Sequence, residues 1–292
     1  MRHVISLVMS CLLSACCLGC DGVYQMIVDR QPEGDRAAGA VFYIGGAGPI
    51  GNVGSFDVPA GLRDAGYKGH VEVFAWQSWT HAGDQVNLPR NRQKAADLAD
   101  AIKRYRRRYP KPSIHIIALS AGTGIATFAL EYLPESTGIE NVVYMGCSLS
   151  SKYDLTRALK RIRGKLYVLY SENDVMLKDV VWFSGTVDRS SADQGIAGLE
   201  GFYLPTSPRS DTLKQYEKVQ NIPYRAEFRT AGYRGGHTDG TSPSFVRRYL
   251  APALMGDDHR LLGDNPERRF RRKPSTQPTS APEDKPSGSD PA

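Results

Sequence analysis

Hydrophobic and polar positions along this chain switch repeatedly between two periods. Short apolar runs rich in branched and aromatic residues occur at 40–44 (AVFYI), 71–76 (VEVFAW), 113–119 (SIHIIAL), 141–145 (NVVYM) and 165–170 (KLYVLY), with a last one at 224–228 (YRAEF). Runs of this length read as strands buried on both faces. Between them the spacing becomes helical. Residues 57–65 predict a short helix with Asp57 as N-cap and Pro59 in its first turn. Residues 90–108 place Ala95, Leu98, Ala99, Ile102 and Tyr105 on one face, as an amphipathic helix does. Further helical segments fall at 153–161, 175–184 and 242–250, while 77–88, with Trp79, His81 and Asp84, reads as a polar loop. Strands alternating with helices imply right-handed crossovers. The expected fold class is therefore α/β, a mostly parallel, doubly wound sheet with helices on both faces.

The two ends fall outside this alternation. Met1-Arg2-His3 is a basic start, and residues 4–13 are apolar but too short to span a bilayer as a helix, so 1–15 reads as a signal peptide. Leu13-Ser14-Ala15-Cys16 resembles the bacterial lipobox, which implies cleavage before Cys16 and acylation of that residue. Cys20, in Leu18-Gly19-Cys20, is the alternative site, and plain secretion after Ala15 is the alternative fate. Acyl chains would anchor the protein to a membrane of the cell envelope. Residues 16–36 form the anchor and linker, 37–262 the folded domain, and 263–292 a Pro- and Ser-rich tail whose composition predicts disorder.

With 292 residues, 41% hydrophobic and 23% charged, the chain can bury a sizeable core. Its net charge of +6 is modest and concentrates at 103–108 (KRYRRR) and 268–273 (RRFRRK). No basic and aromatic alternation of an RNA-binding kind accompanies these runs, and the first ends a helix where cations suit the dipole, so no nucleic-acid partner is expected. Of five cysteines only Cys147 belongs to the folded part, and the histidines are scattered. No metal site is expected.

Candidate chemistry centres on Ala118-Leu119-Ser120-Ala121-Gly122, where a strand stops at Ser120 and a small-residue helix begins at once. So tight a turn needs small residues two before and two after the serine, and it offers the serine as a nucleophile. The backbone N–H of Ala121, at the helix N-terminus, points where an oxyanion would form. His237, in the Gly235-Gly236-His237 loop, is the candidate base, since imidazole titrates near neutral pH. His115, inside a strand, and His81, ahead of the serine in the chain, compete less well.

The order of these parts resembles the α/β-hydrolase superfamily over about residues 40–250. The resemblance rests on Gly45-Gly46-Ala47-Gly48, on Ala118-Leu119-Ser120-Ala121-Gly122, on Ser171-Glu172-Asn173-Asp174 and on Gly236-His237. Ala118 replaces the commoner glycine. The resemblance implies a nucleophile, acid and histidine in that chain order, each at the carboxyl end of a strand: Ser120, Asp174 and His237. Glu172 is the rival acid, with Asp188, Asp193 and Asp239 less well placed. It also implies an oxyanion hole built from the N–H groups of Gly46 or Ala47 and of Ala121, no cofactor, and a small-molecule or lipid ester as substrate. The short connection from Met145 to Lys165 leaves room for little or no lid domain. Trp76, Trp79, Trp182, Phe202 and Tyr203 are candidates to line an acyl pocket. Two other readings stand beside it. One is a catalytically inactive envelope lipoprotein that uses the fold as a binding module. The other is a dinucleotide enzyme, because residues 46–51 satisfy G-x-G-x-x-G after a strand, although Pro49, Gly51 and Asn52 oppose the helix that fingerprint needs.

Overall fold

Five of the apolar runs, joined by Val219–Pro223, assemble into a six-stranded sheet whose strands are all parallel, in the order β2-β1-β3-β4-β5-β6. The computed structural model describes residues 34–48, 53–77, 81–181 and 185–263. Most of the segment 1–36, with Cys16 and Cys20, lies outside them, as do 264–292, Pro49 to Asn52, Trp79 and Trp182. In chain order come β1 (Asp35–Ile44), α1 (Asp57–Asp64), β2 (Gly69–Val73), α2 (His81–Val86), α3 (Leu88–Arg108) and β3 (Ile114–Leu119). Then follow α4 (Gly122–Tyr132), β4 (Val142–Met145), β5 (Leu166–Tyr170) and β6 (Val219–Pro223).

Pleating divides the strand side chains between two cores. Ala40, Phe42, Ile44, Ile116, Ala118, Tyr144 and Val168 pack on one face against Leu98 and Ile102 of α3 and Ile125 and Phe128 of α4. Val41, Tyr43, Ile117, Leu119, Val143 and Leu169 pack on the other against Val58 and Leu62 of α1 and a C-terminal layer with Phe245, Val246 and Leu250. Both faces are thus covered, which is why the strands are apolar without a break. Each large side chain taken out of water contributes about 1.5–3 kcal/mol.

The helix α3 begins at Leu88, where Asn87 Oδ1 accepts the Arg90 N–H at 3.1 Å. Its last turn holds Arg106, whose guanidinium donates to the carbonyls of Thr137, Gly138, Pro110 and Pro112 at 2.8–3.1 Å. That arginine of the basic run therefore ties the N-terminal edge of the sheet together. Among the described residues no helix is long and apolar enough to cross a membrane.

Three expectations are corrected. The last strand is Val219–Pro223, not 224–228, and Ala226–Ala231 is a 3-10 helix. Phe228 belongs to an aromatic cluster with Tyr233, Phe245 and Tyr249, at centroid distances of 4.9–5.8 Å, not to the sheet. The segment 77–88, expected as a polar loop, carries α2 and the first residue of α3. Finally, β1 starts at Asp35, inside the stretch expected as linker, because Asp35 N–H bonds the Lys68 carbonyl ahead of β2.

Candidate functional site

Chain order reverses direction in this sheet between β1 and β3: β2 lies on one side of β1, and every later strand on the other. Loops leaving the carboxyl ends of strands diverge at such a point and open a crevice, the usual ligand position in parallel α/β sheets. The two loops flanking it are Gly45–Gly48 after β1 and the Ser120 turn after β3.

Ser120 has φ of +55°, a left-handed conformation that costs a non-glycine residue energy. Its backbone is fixed on both sides. The N–H donates to the Met145 carbonyl at 2.9 Å, and the carbonyl accepts Thr123 Oγ1 at 2.6 Å. Gly122 shows why the turn needs a small residue two beyond the serine. A Cβ there would stand 2.3 Å from the Gly45 carbonyl oxygen and 2.6 Å from that of Ile44. Two positions before the serine, Ala118 is fully buried opposite Ile44 in the ladder.

The Gly45–Gly48 loop is therefore pressed against the start of α4. Its Gly45 carbonyl accepts the Trp76 indole N–H at 2.9 Å. Among the described residues the N–H groups of Gly46, Ala47 and Ala121 carry no hydrogen bond. Among the described residues the next helix after this loop opens at Asp57, and β2 carries Glu72 before it leads into Phe74-Ala75-Trp76.

Asp174 follows β5 and is 3% exposed. Its Oδ2 meets His237 Nδ1 at 2.8 Å, and its Oδ1 accepts the Leu177 N–H at 3.0 Å. A carboxylate only accepts, so Nδ1 carries the proton and Nε2 of the neutral ring is left as a base. His237 comes from a loop well past β6, and Asp239 shapes that loop: its Oδ2 accepts the Arg234 and Gly236 N–H groups, each at 2.9 Å. Buried Tyr233, packed on Tyr224 and Phe228, anchors the same loop from below.

His237 also lies against the end of β4, since a Cβ on Gly146 would stand 2.9 Å from its Nδ1. Ser120 N–H bonds the neighbouring Met145, so serine and histidine flank one dipeptide. Among the described residues no hydrogen bond joins Ser120 Oγ to His237.

The rival groups are placed otherwise. Glu172 is exposed and has no bond to His237. Asp188 bonds the Ser150 N–H and the Ser190 hydroxyl, and Asp193 is exposed. His115 is 4% exposed, and burial alone pushes its imidazole down to about 4, so it stays neutral. Of the residues expected to line a pocket, Trp76 and Phe202 are fully buried core. Among the described residues no group of three or more His, Cys, Asp and Glu side chains could hold a metal ion. A buried carboxylate that the sequence left in a loop, Asp84, accepts the Gly48 N–H at 2.7 Å. Its only sequence signal is an acid among small polar residues ahead of a helix, which is not specific. No protein-family model matches this chain, and no curated protein matches it either.

Proposed function

We propose that this protein is a serine hydrolase of the α/β-hydrolase type, cleaving carboxylic esters through an acyl-enzyme on Ser120. The observation that carries this reading is the 2.8 Å bond between buried Asp174 and His237 Nδ1, formed at the strand edge that also holds the strained Ser120 turn. In the first half-reaction His237 Nε2 takes the Ser120 proton as Oγ attacks the ester carbonyl carbon. The carbonyl oxygen becomes an oxyanion and is received by the N–H groups of Ala121 and of Gly46 or Ala47. Asp174 holds the ring tautomer and stabilises the imidazolium, which then returns its proton to the departing alcohol. Water repeats the sequence on the acyl-enzyme and releases the acid. The residues need no cofactor for these steps.

With Cys16 as the lipidated residue, the enzyme would work at a membrane of the cell envelope, on small-molecule or lipid esters. Fluorophosphonate labelling tests the chemistry, because the reagent phosphonylates only an activated serine. Labelling of wild type and its loss in a folded Ser120→Ala variant are expected. A folded wild type that does not label would leave the binding-module reading in place. Palmitate labelling that disappears in Cys16→Ala tests the anchor; undiminished labelling would move it to Cys20.

A further inference from the structure

We infer that Asp84, Arg90 and Trp76 are positioning residues that clamp the oxyanion loop from both ends. This rests on the acyl-transfer reading above. Asp84 is fully buried in α2. Its Oδ2 accepts the Gly48 N–H at 2.7 Å, and its Oδ1 accepts Arg90 Nη1 at 3.0 Å. The main-chain carbonyl of Asp84 accepts Asn91 Nδ2 at 2.7 Å, which fixes the backbone behind the carboxylate. Arg90 Nη2 donates to the Trp76 carbonyl at 2.6 Å, and the Trp76 indole N–H donates to the Gly45 carbonyl at 2.9 Å. The bonds close a ring through Gly45, Trp76, Arg90, Asp84 and Gly48. Both ends of the loop are held, and the two residues between them, Gly46 and Ala47, keep their N–H groups unbonded among the described residues.

The same bonds decide which donors serve. Gly48 gives its N–H to Asp84, so Gly46 and Ala47 are left to meet an oxyanion. The Gly45 carbonyl, turned to Trp76 and the start of α4, keeps its negative end engaged elsewhere. Charge makes the arginine necessary as well. A carboxylate grips an N–H more firmly than a neutral acceptor does. Left alone, however, it would oppose the negative oxygen forming beside the loop in a low-dielectric interior. Arg90, paired to it and 27% exposed, cancels that field while bracing Trp76. Removing the cation alone should therefore harm the transition state more than removing both charges.

The test compares the full-length wild type, Asp84→Asn, Arg90→Gln and the double variant, in fluorophosphonate inactivation and in ester hydrolysis. Arg90→Gln is expected to lose about a hundredfold in inactivation rate and in kcat, with KM within about threefold of wild type. Asp84→Asn, which keeps an acceptor for the Gly48 N–H, should lose less. The double variant should regain about tenfold over Arg90→Gln in kcat, with KM still within about threefold of wild type, a split that a merely structural ion pair would not give. A double variant no faster than Arg90→Gln, a loss confined to KM, or wild-type rates throughout would overturn the clamp. Should Arg90→Gln not fold, Trp76→Phe removes the bond to Gly45 together with part of the buried ring, and about a tenfold fall in kcat at unchanged KM is expected; a wild-type kcat there overturns the clamp equally. A wild type that fails to label removes the acyl-transfer reading and this inference with it, whereas a labelled wild type with indifferent variants removes the clamp alone.

Discussion

The Asp174 carboxylate meets His237 Nδ1 at 2.8 Å although 63 positions separate them in the chain. Neither residue is free to turn. Asp174 is tied through its second oxygen to the Leu177 N–H, at the start of the helical turn that follows β5, and His237 is held by a loop that Asp239 and Tyr233 organise. The bond is therefore an orienting one, and its removal should change the ring before it changes the fold.

Asp174→Asn offers the ring an amide where it needs a carboxylate. Ester turnover is expected to fall by about 10⁴ with little change in KM, because the wrong tautomer places the proton on Nε2. Glu172→Gln, on an exposed residue with no bond to the histidine, should leave turnover within about twofold, as surface changes usually do. Steady-state kinetics on a short-chain ester measures both, and full activity in Asp174→Asn would remove the acid from the proposed triad.

Gly122→Ala tests the contact between the turn and the Gly45–Gly48 loop. The added methyl would stand 2.3 Å from the Gly45 carbonyl oxygen, and since that atom is backbone the loop itself must move. A loss of about 1–3 kcal/mol in unfolding free energy is expected from such overpacking, together with slower fluorophosphonate labelling. Denaturant titration gives the first quantity and the labelling rate the second. Unchanged values for both would mean that the two loops are not coupled.

Much of this site can be read from residue order, and its limits have physical causes. The strands at the centre of the sheet are buried on both faces, so β3, β4 and β5 stand out as apolar runs close to their observed bounds, and β1 does so over its buried carboxyl half. At the edge that signal fails. In β6, Gln220, Asn221 and Pro223 interrupt the pattern, yet Asn221 is 2% exposed because its side chain bonds both the N–H and the carbonyl of Phe202, at 2.9 Å each. Pro223 is tolerated where an edge strand ends. The neighbouring YRAEF segment looked more strand-like because Phe228 is apolar for a different purpose, the aromatic cluster under the His237 loop. Ser120 was legible from its small neighbours, since sterics at Gly122 leave no choice. Asp84 was not, because its partners Gly48, Arg90 and Asn91 meet it only after α2 and α3 have folded.

Burial of His115 makes stability depend on pH in a known direction. Its native imidazole is held down to about 4, against about 6.5 in the unfolded chain. Above the unfolded value both states are neutral and nothing is lost. As pH falls from about 6.5 towards 4, the unfolded state binds a proton that the native state refuses, so stability drops by up to about 3 kcal/mol. Urea titrations across this range should show that slope in wild type and a shallower one in His115→Leu. Equal slopes would mean that His115 is not the group responsible.

Cys147 follows β4 by two positions and is fully buried, with its Sγ donating to Thr123 Oγ1 at 3.3 Å. Burial pushes its thiol up to about 12. The thiolate, the form that reacts, is then scarcer at neutral pH by roughly a thousandfold than for an ordinary cysteine. Thr123 is also the residue whose hydroxyl holds the Ser120 carbonyl, so the thiol sits directly behind the strained turn. Iodoacetamide should therefore leave Cys147 unmodified and ester hydrolysis intact in the native protein, and modify the residue once denaturant opens the domain. Peptide mass spectrometry after timed alkylation gives the native rate. That rate should rise with denaturant in step with loss of activity, because the thiol is exposed only when the segment carrying Ser120 comes apart. Rapid native alkylation with activity retained would show that the thiol is reachable without disturbing the turn, contrary to its packing here.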